Sequence, residues 1–423
     1  MADSGKVISM IKIKRIFAAA SAVVMAAGVF ASCGNTDSSS KAENGGSSHV
    51  TEKGEMRDIS SMDLVKEMNL CWNLGNSLDV CNADRDGDGQ VDENSEKVDE
   101  TLWGNVKTTP EIFDQLKKDG FNAVRIPITW RDHLSDDYTI DEDWMDRVEE
   151  VVDYAYDRDF YVIINVHHDG GGDPDFGAWI RTEAEADYEK FSEKYNKLWT
   201  QIAKRFENYS DKLIFESMNE VGFDDMGTNQ AYELLNKINQ DFVDLIRKQG
   251  GNNPKRHLLI AGYWTDVEKT CSKLFKMPDD PENRCIVSVH YYTPWEFCVC
   301  TNQYNWGTEP EIKTMVNNVN KLKTTFVDNG IPVIVGEYGN CKGNDEVDRV
   351  FFDEYFTKLT HDIGIPAFLW DDGGVFDRTD LTWQEDGLLD ALHRAVSGEE
   401  YIVERIKLSL IHISEPTRLR RIS

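Results

Sequence analysis

Eight short apolar runs, separated by longer amphipathic stretches, organise this chain from about Met56 to Lys407. They are MNLCWNL (68–74), NAVRIPI (122–128), YVIINV (161–166), LIFES (213–217), HLLIAG (257–262), CIVSVH (285–290), PVIVG (332–336) and AFLW (367–370). Each has the length of a strand buried on both faces, and the alternation is that of repeated βα units. Between the runs, segment 143–158 places Trp144, Val148, Val151, Val152 and Ala155 on one stripe at helical spacing. Segments 188–206, 230–247 and 311–327 read the same way. Eight such runs are the number that closes a (β/α)8 TIM barrel. A doubly wound open sheet is the alternative, but its first strand more often leads into a glycine-rich phosphate turn, and NLGNSLD is not one. The expected fold is therefore α/β: a (β/α)8 barrel, one domain over residues 56–407.

Side chains at the C-terminal ends of barrel strands converge on one mouth. Here those ends are polar or aromatic: Arg125 with Trp130 beyond it, His167 and His168, Asn219 and Glu220, His290 and Tyr292, Glu337, then Trp370 and Asp371. Two of them, Glu220 and Glu337, are carboxylates on runs far apart in sequence. A pair of acids flanking one bond is what glycosidic cleavage needs: one protonates the leaving oxygen, the other attacks or activates water. Both could instead be solvated strand-end acids. Asn219, beside Glu220, suits a sugar hydroxyl, and Glu337 follows a run with no other polar side chain, which favours the paired reading. His167 and His168 as metal ligands of a hydrolase barrel are the weaker alternative, because such barrels gather several His and Asp from different strands and no H-x-H is present.

The formal net charge of −30 disfavours nucleic acid and anionic membranes, which need clustered Lys and Arg. It suits an exported protein acting on a neutral polymer. The N-terminus has the form of an export signal over residues 1–33: Lys12, Lys14 and Arg15, then an apolar stretch from Ile16 to Ala27 too short to span a bilayer. Phe30-Ala31-Ser32-Cys33 is similar to a bacterial lipobox, which would make Cys33 a lipid-anchored first residue. Ordinary cleavage nearby is the alternative. Residues 34–55 read as a flexible polar tether. The expected location is thus outside the cell, tethered to its surface. The seven cysteines after Cys33 are an odd number, so no disulfide is assigned. At the other end, LSLIHISEPTR (408–418) back-translates to a transposase adaptor used in sequencing libraries. Residues 408–423 are accordingly read as a non-native tail.

In order along 56–400, NLGNSLD, ETLWGN, VRIPITW, VIINVHHD, MNE, VHYYTPW, VIVGEYG and FLWDDGG resemble glycoside hydrolase family 5, most of all its subfamily 4 endoglucanases and xyloglucanases. The resemblance implies a retaining endo-β-1,4-glucanase acting on cellulose-like, mixed-linkage or xyloglucan chains, with no cofactor for the chemistry; the chain is expected to act as a monomer. It makes Glu220 the general acid/base and Glu337 the nucleophile. It also implies that Arg125 hydrogen-bonds Glu337 and favours its charged form, and that Asn219 holds the sugar 2-hydroxyl. His167, His290 and Tyr292 would fix the carboxylates and the bound sugar, and Trp370 would lie under the sugar before the cleaved bond. Asn76, His168, Trp179 and Trp295 are further cleft-wall candidates, as are Trp103 and Trp130; each of these could instead be core. Glu220 is expected to have a raised pKa because of the Glu337 charge. Retention calls for carboxyls about 5–5.5 Å apart. The rival activities are mannanase or xylanase on the same scaffold. A sugar-binding barrel without catalysis is the rival of another class.

One segment departs from the pattern. NADRDGDGQVDENSEKVD (82–99) places Asp84, Asp86, Asp88 and Gln90 at the spacing of an EF-hand-like loop, with Gly89 at the turn. Ser95 stands where a bidentate acid belongs. A structural Ca2+ there and a solvated acidic loop are both compatible with these residues.

Overall fold

The computed structural model describes residues 53–82, 98–170, 178–299 and 303–405. Eight parallel strands close into a barrel in sequence order: β1 (Leu70–Asn73), β2 (Phe121–Ile126), β3 (Tyr161–Asn165), β4 (Leu213–Glu216), β5 (Leu258–Asp266), β6 (Cys285–Tyr291), β7 (Val333–Tyr338) and β8 (Ala367–Leu369). β1 pairs with β8 through Cys71 and Trp72, which completes the ring. All eight apolar runs form the strands expected of them. They bury both faces because the barrel interior covers one and helices cover the other. Inside, Cys71, Ala123, Ile163, Ile214, Leu259, Ile286, Ile334 and Phe368, one from each strand, belong to one buried cluster. Outside lies the larger core, where strands meet helices.

The helices follow the apolar stripes. Glu142–Tyr156 buries Trp144, Val148, Val151, Val152 and Ala155, and Asp141 caps it by accepting from the Asp143 and Trp144 amides. Tyr188–Arg205, Thr228–Arg247 and Glu309–Thr325 occupy the other predicted segments. The last of these starts with a capping box between Thr308 and Glu311. A small antiparallel hairpin, Phe376–Asp377 with Thr382–Trp383, has no counterpart among the expected elements. Its two-residue strands are too short to give a period.

The strand register is irregular at three places near the C-terminal ends of the strands, one of them between β7 and β8 across Val335 and Tyr338. Between β6 and β7 it slips so that His290 pairs with Glu337. β5 likewise slips between Ala261 and Asp266. Bulges of this kind re-aim side chains at barrel rims.

Candidate active site

The centre of the mouth is a buried guanidinium. Arg125, on β2, has no exposed surface. Its Nε donates to Glu216 Oε2 at 2.7 Å, Nη1 to Glu337 Oε1 at 2.6 Å and to Asn73 Oδ1 at 3.1 Å, and Nη2 to Asn219 Oδ1 at 2.9 Å. Burial works against its charge, but the Glu216 and Glu337 carboxylates outweigh it and raise its pKa above the ordinary arginine value.

Glu337 lies near the end of β7, 5 % exposed. Its second oxygen accepts from the Tyr292 hydroxyl at 2.9 Å. Burial, then the nearby Glu337 and Glu220 charges, push the Tyr292 pKa well up, so its phenol stays a donor. Glu220 stands beyond the end of β4 with φ +43°. Its Oε1 is 2.9 Å from His290 Nδ1, and the same nitrogen is 3.6 Å from Glu337 Oε2. Ligand-type atoms of Glu220, His290 and Glu337 all lie within 4.8 Å of one another. The two carboxylates therefore share one imidazole.

The expectation of a raised Glu220 pKa is corrected by this arrangement. Burial does push it up, but the His290 hydrogen bond and charge, with Arg125 and His168 behind them, leave it below the ordinary glutamate value. The expectation rested on the charge of the neighbouring acid alone; His290 was expected beside the carboxylates, but its effect on the Glu220 proton was not counted.

His167 is buried, its Nδ1 3.1 Å from Asn165 Nδ2, and its ring lies nearly parallel to Trp370 at 5.9 Å and 7°. Because Asn165 Oδ1 accepts from the Ile128 amide, its Nδ2 faces His167, which puts the imidazole proton on Nε2. Burial, then the positive groups around it, hold the His167 pKa well below the usual range, so this ring is neutral. His168 packs edge-on to His167, and its pKa is lowered to about 4 by burial. Trp103 lies 5.4 Å from His168.

Trp370 is half-buried at the end of β8. It fits against Gly75, where a Cβ would come within 2.6 Å of Trp370 Cζ2. The loop after β1 is fixed by Asp79, which accepts from the Asn76 and Ser77 amides at 3.1 and 2.8 Å. Asn76 sits there at φ +53°.

The remaining aromatics divide. Trp295 opens a short helix after β6 and is 45 % exposed. Trp179 is 5 % exposed, donates its indole N–H to Asp169 at 2.6 Å and packs on Phe191. It is a core residue and offers no face to a sugar, contrary to the expectation from its loop position. Trp130 is core as well, its indole donating to the Asn165 carbonyl. The candidate calcium residues Asp84, Asp86, Asp88 and Gln90 lie outside the described residues.

Two of the groups that hold the guanidinium, Glu216 and Asn73, were not among the residues expected at the site. Glu216 is fully buried and accepts from Arg125, from Asn165 Nδ2 at 3.0 Å and from Ser288 at 2.8 Å. Asn73 supports the same end, donating to the Gly336 carbonyl at 2.9 Å. The signal was available: a carboxylate inside the apolar run LIFES must be paired if that run is a buried strand.

The chain is similar to known proteins over most of its length. The model of the cellulase family (glycosyl hydrolase family 5) matches residues 86–374. Endoglucanase B of Clostridium cellulovorans is 37 % identical over 372 residues, covering 83 % of this chain and 79 % of its own. A broad-specificity GH5-4 endoglucanase from Ruminococcus champanellensis with bound cellotriose has a TM-score of 0.72 at 33 % identity, covering 80 % of this chain and 99 % of that one. A tri-modular GH5 subfamily 4 endo-β-1,4-glucanase from Bacillus licheniformis has a TM-score of 0.68 at 32 % identity, over 80 % of this chain and 61 % of that longer one.

Proposed function

This chain belongs to glycosyl hydrolase family 5, and we propose that it is an endo-β-1,4-glucanase of the retaining kind, with Glu337 as nucleophile and Glu220 as acid/base. The observation that carries the mechanism is the separation of the two acids. One oxygen of each lies within 4.8 Å of the other, beside His290, and so short an approach of the nearest oxygens fits the roughly 5–5.5 Å carboxyl separation of retaining pairs better than the roughly 6.5–9.5 Å that leaves room for a water.

Glu337 Oε2 attacks the anomeric carbon while Glu220 gives its proton to the departing oxygen. A glycosyl ester of Glu337 forms. Glu220, now a carboxylate, takes a proton from water, which attacks the same carbon and frees Glu337. Arg125 and Tyr292 hold one Glu337 oxygen each, so the nucleophile enters the reaction oriented. Asn219 has its Oδ1 engaged by Arg125, which leaves its amide N–H groups for the sugar 2-hydroxyl. Trp370 gives an apolar face to the ring before the cleaved bond. The side chain of Glu220 is 39 % exposed in the open cleft. A bound glucan strips water from it and drives its pKa upward, towards the protonated form the first step uses.

The substrate class is β-1,4-glucan: cellulose-like, mixed-linkage or xyloglucan chains, with mannan and xylan as rivals on the same scaffold. The relatives from Clostridium cellulovorans and Ruminococcus champanellensis are named endoglucanases, and the second is described as broad in specificity. No metal or organic cofactor is needed for this chemistry. The charged and apolar regions before Cys33 support export and tethering at the cell surface.

The test is hydrolysis of xyloglucan, barley β-glucan, carboxymethylcellulose and mannan by wild type and Glu337→Ala, with product anomers followed by NMR. Glucan cleavage giving the β-anomer first, lost in the variant, is the expected result. Azide added to Glu337→Ala should yield the α-glycosyl azide, and added to Glu220→Ala the β-glycosyl azide. The α-anomer as first product from wild type would overturn retention, and no cleavage of any polymer would leave only a binding barrel.

A further inference from the structure

The segment after Glu220 is tied to the end of β5 by bonds that the two-glutamate reaction does not use. The Tyr263 hydroxyl accepts the Phe223 amide at 2.9 Å and donates to Asp224 Oδ1 at 3.1 Å. The Trp264 amide donates to the Val221 carbonyl at 2.8 Å, and its indole Nε1 donates to Asp224 Oδ2 at 2.9 Å. Gly222 leaves room for that indole, since a Cβ there would sit 2.1 Å from Nε1. Tyr263 is buried and stacked on Tyr232 at 4.4 Å, which anchors it to the helix Thr228–Arg247.

These two segments also share an uncommon backbone. Glu220, Trp264 and Thr265 have φ of +43°, +56° and +48°. Non-glycine residues rarely enter the left-handed region, and they persist there where the surroundings over-determine them, often at functional sites. Here the β5 end holds the Glu220 loop and the loop holds the β5 end. The Tyr263 and Trp264 hydrogen bonds go to this loop, not to the Glu337 or His290 side chains.

We infer that Tyr263 and Trp264, acting through Asp224 and the 221–223 backbone, are positioning residues that set the Glu220 carboxyl at the leaving-group oxygen. The inference rests on Glu220 being the acid/base. A residue that only aims an acid matters in proportion to how badly the leaving group needs a proton. Cellotetraose releases a sugar alkoxide and needs one; 2,4-dinitrophenyl β-cellobioside releases a stable phenolate and needs none.

The experiment measures kcat/KM, which reports the first chemical step, on both substrates for wild type, Tyr263→Phe, Trp264→Phe and the double variant, with melting curves alongside. The expected result is a fall of about tenfold to a hundredfold on cellotetraose with less than about a twofold change on the dinitrophenyl glycoside. Equal losses on both substrates, or no loss on either, would overturn the inference. Should the double variant fail to fold, the single Trp264→Phe keeps an aromatic ring and removes the indole donor, and the same ratio decides. Glu220→Ala serves as the control. If it loses both substrates equally, the acid/base reading itself fails; if it loses only cellotetraose while the β5 variants do not, the positioning role alone fails.

Discussion

Arg125 and Glu337 meet through a 2.6 Å hydrogen bond, Nη1 to Oε1, with the arginine wholly buried and fixed at its other edge by Glu216. A guanidinium is planar and its donors diverge at set angles, so anchoring Nε on Glu216 and Nη2 on Asn219 leaves Nη1 one direction to point. Glu337 therefore receives position as well as charge. Arg125→Lys keeps the cation and removes the fork. The expected outcome is a folded protein with kcat lowered at least about a hundredfold, read from steady-state kinetics with a circular dichroism melt as control. A near-normal kcat would mean that charge alone is enough.

Tyr292 holds the other oxygen of Glu337 at 2.9 Å. Tyr292→Phe removes one charge-assisted hydrogen bond and keeps the ring. Such bonds contribute about 1.5–3 kcal/mol, so kcat should drop roughly tenfold to a hundredfold. KM for a long glucan should move little, because most of that binding lies away from the nucleophile. A change confined to KM would instead place Tyr292 on the substrate.

His290 couples the two acids, 2.9 Å from Glu220 and 3.6 Å from Glu337. Its hydrogen bond and charge are what outweigh burial and lower the Glu220 pKa. Take them away and burial prevails, so Glu220 keeps its proton to higher pH. His290→Ala should move the basic limb of the kcat/KM profile to more alkaline pH while lowering its maximum. An acidic shift of that limb would reverse the assigned cause.

Trp370 depends on a missing methyl group. A Cβ at Gly75 would lie 2.6 Å from Trp370 Cζ2 and 2.8 Å from the Asp371 carbonyl. Neither neighbour is a flexible chain end, so Gly75→Ala must push the indole off its place beside His167. Activity on β-glucan should fall at least about tenfold, with a loss of about 1–3 kcal/mol in stability from overpacking. Stability and kinetics measured on the same sample check both. Full activity would mean the ring is not a platform.

Much of this was readable before any coordinates. The strands could be placed because a run buried on both faces, such as YVIINV, differs sharply from the charged stripes beside it. The reactive groups stood out because Glu220, His290 and Glu337 close those runs. What could not be read was the layer beneath. Asn73, Asn165 and Glu216 lie inside apolar runs, and each matters through partners on other strands that only barrel closure brings near. Trp179 misled for a related reason: its position after a strand end suggested the cleft, but Asp169 draws its indole N–H inward. Tyr263 and Trp264 were invisible because a register slip within β5 leaves no mark on composition.

Asp353 gives a prediction about stability. It is 2 % exposed on the helix Glu346–His361, and Asn340, just beyond Glu337, donates to it at 2.9 Å. Burial raises its pKa to about 7, against the pull of Arg349 and the Asn340 bond. An unfolded aspartate titrates near 3.9. Between those values the folded protein keeps a proton that the unfolded chain has released, so stability falls as pH rises from about 4 to about 7 and is level above. The drop is on the order of 4 kcal/mol at most, taking about 1.4 kcal/mol for each pH unit. Asp353→Asn cannot ionise and still offers Asn340 an acceptor. Its melting temperature should match wild type near pH 4 and exceed it near pH 8. Parallel curves for the two proteins across that range would show that Asp353 gives up its proton with no penalty from burial.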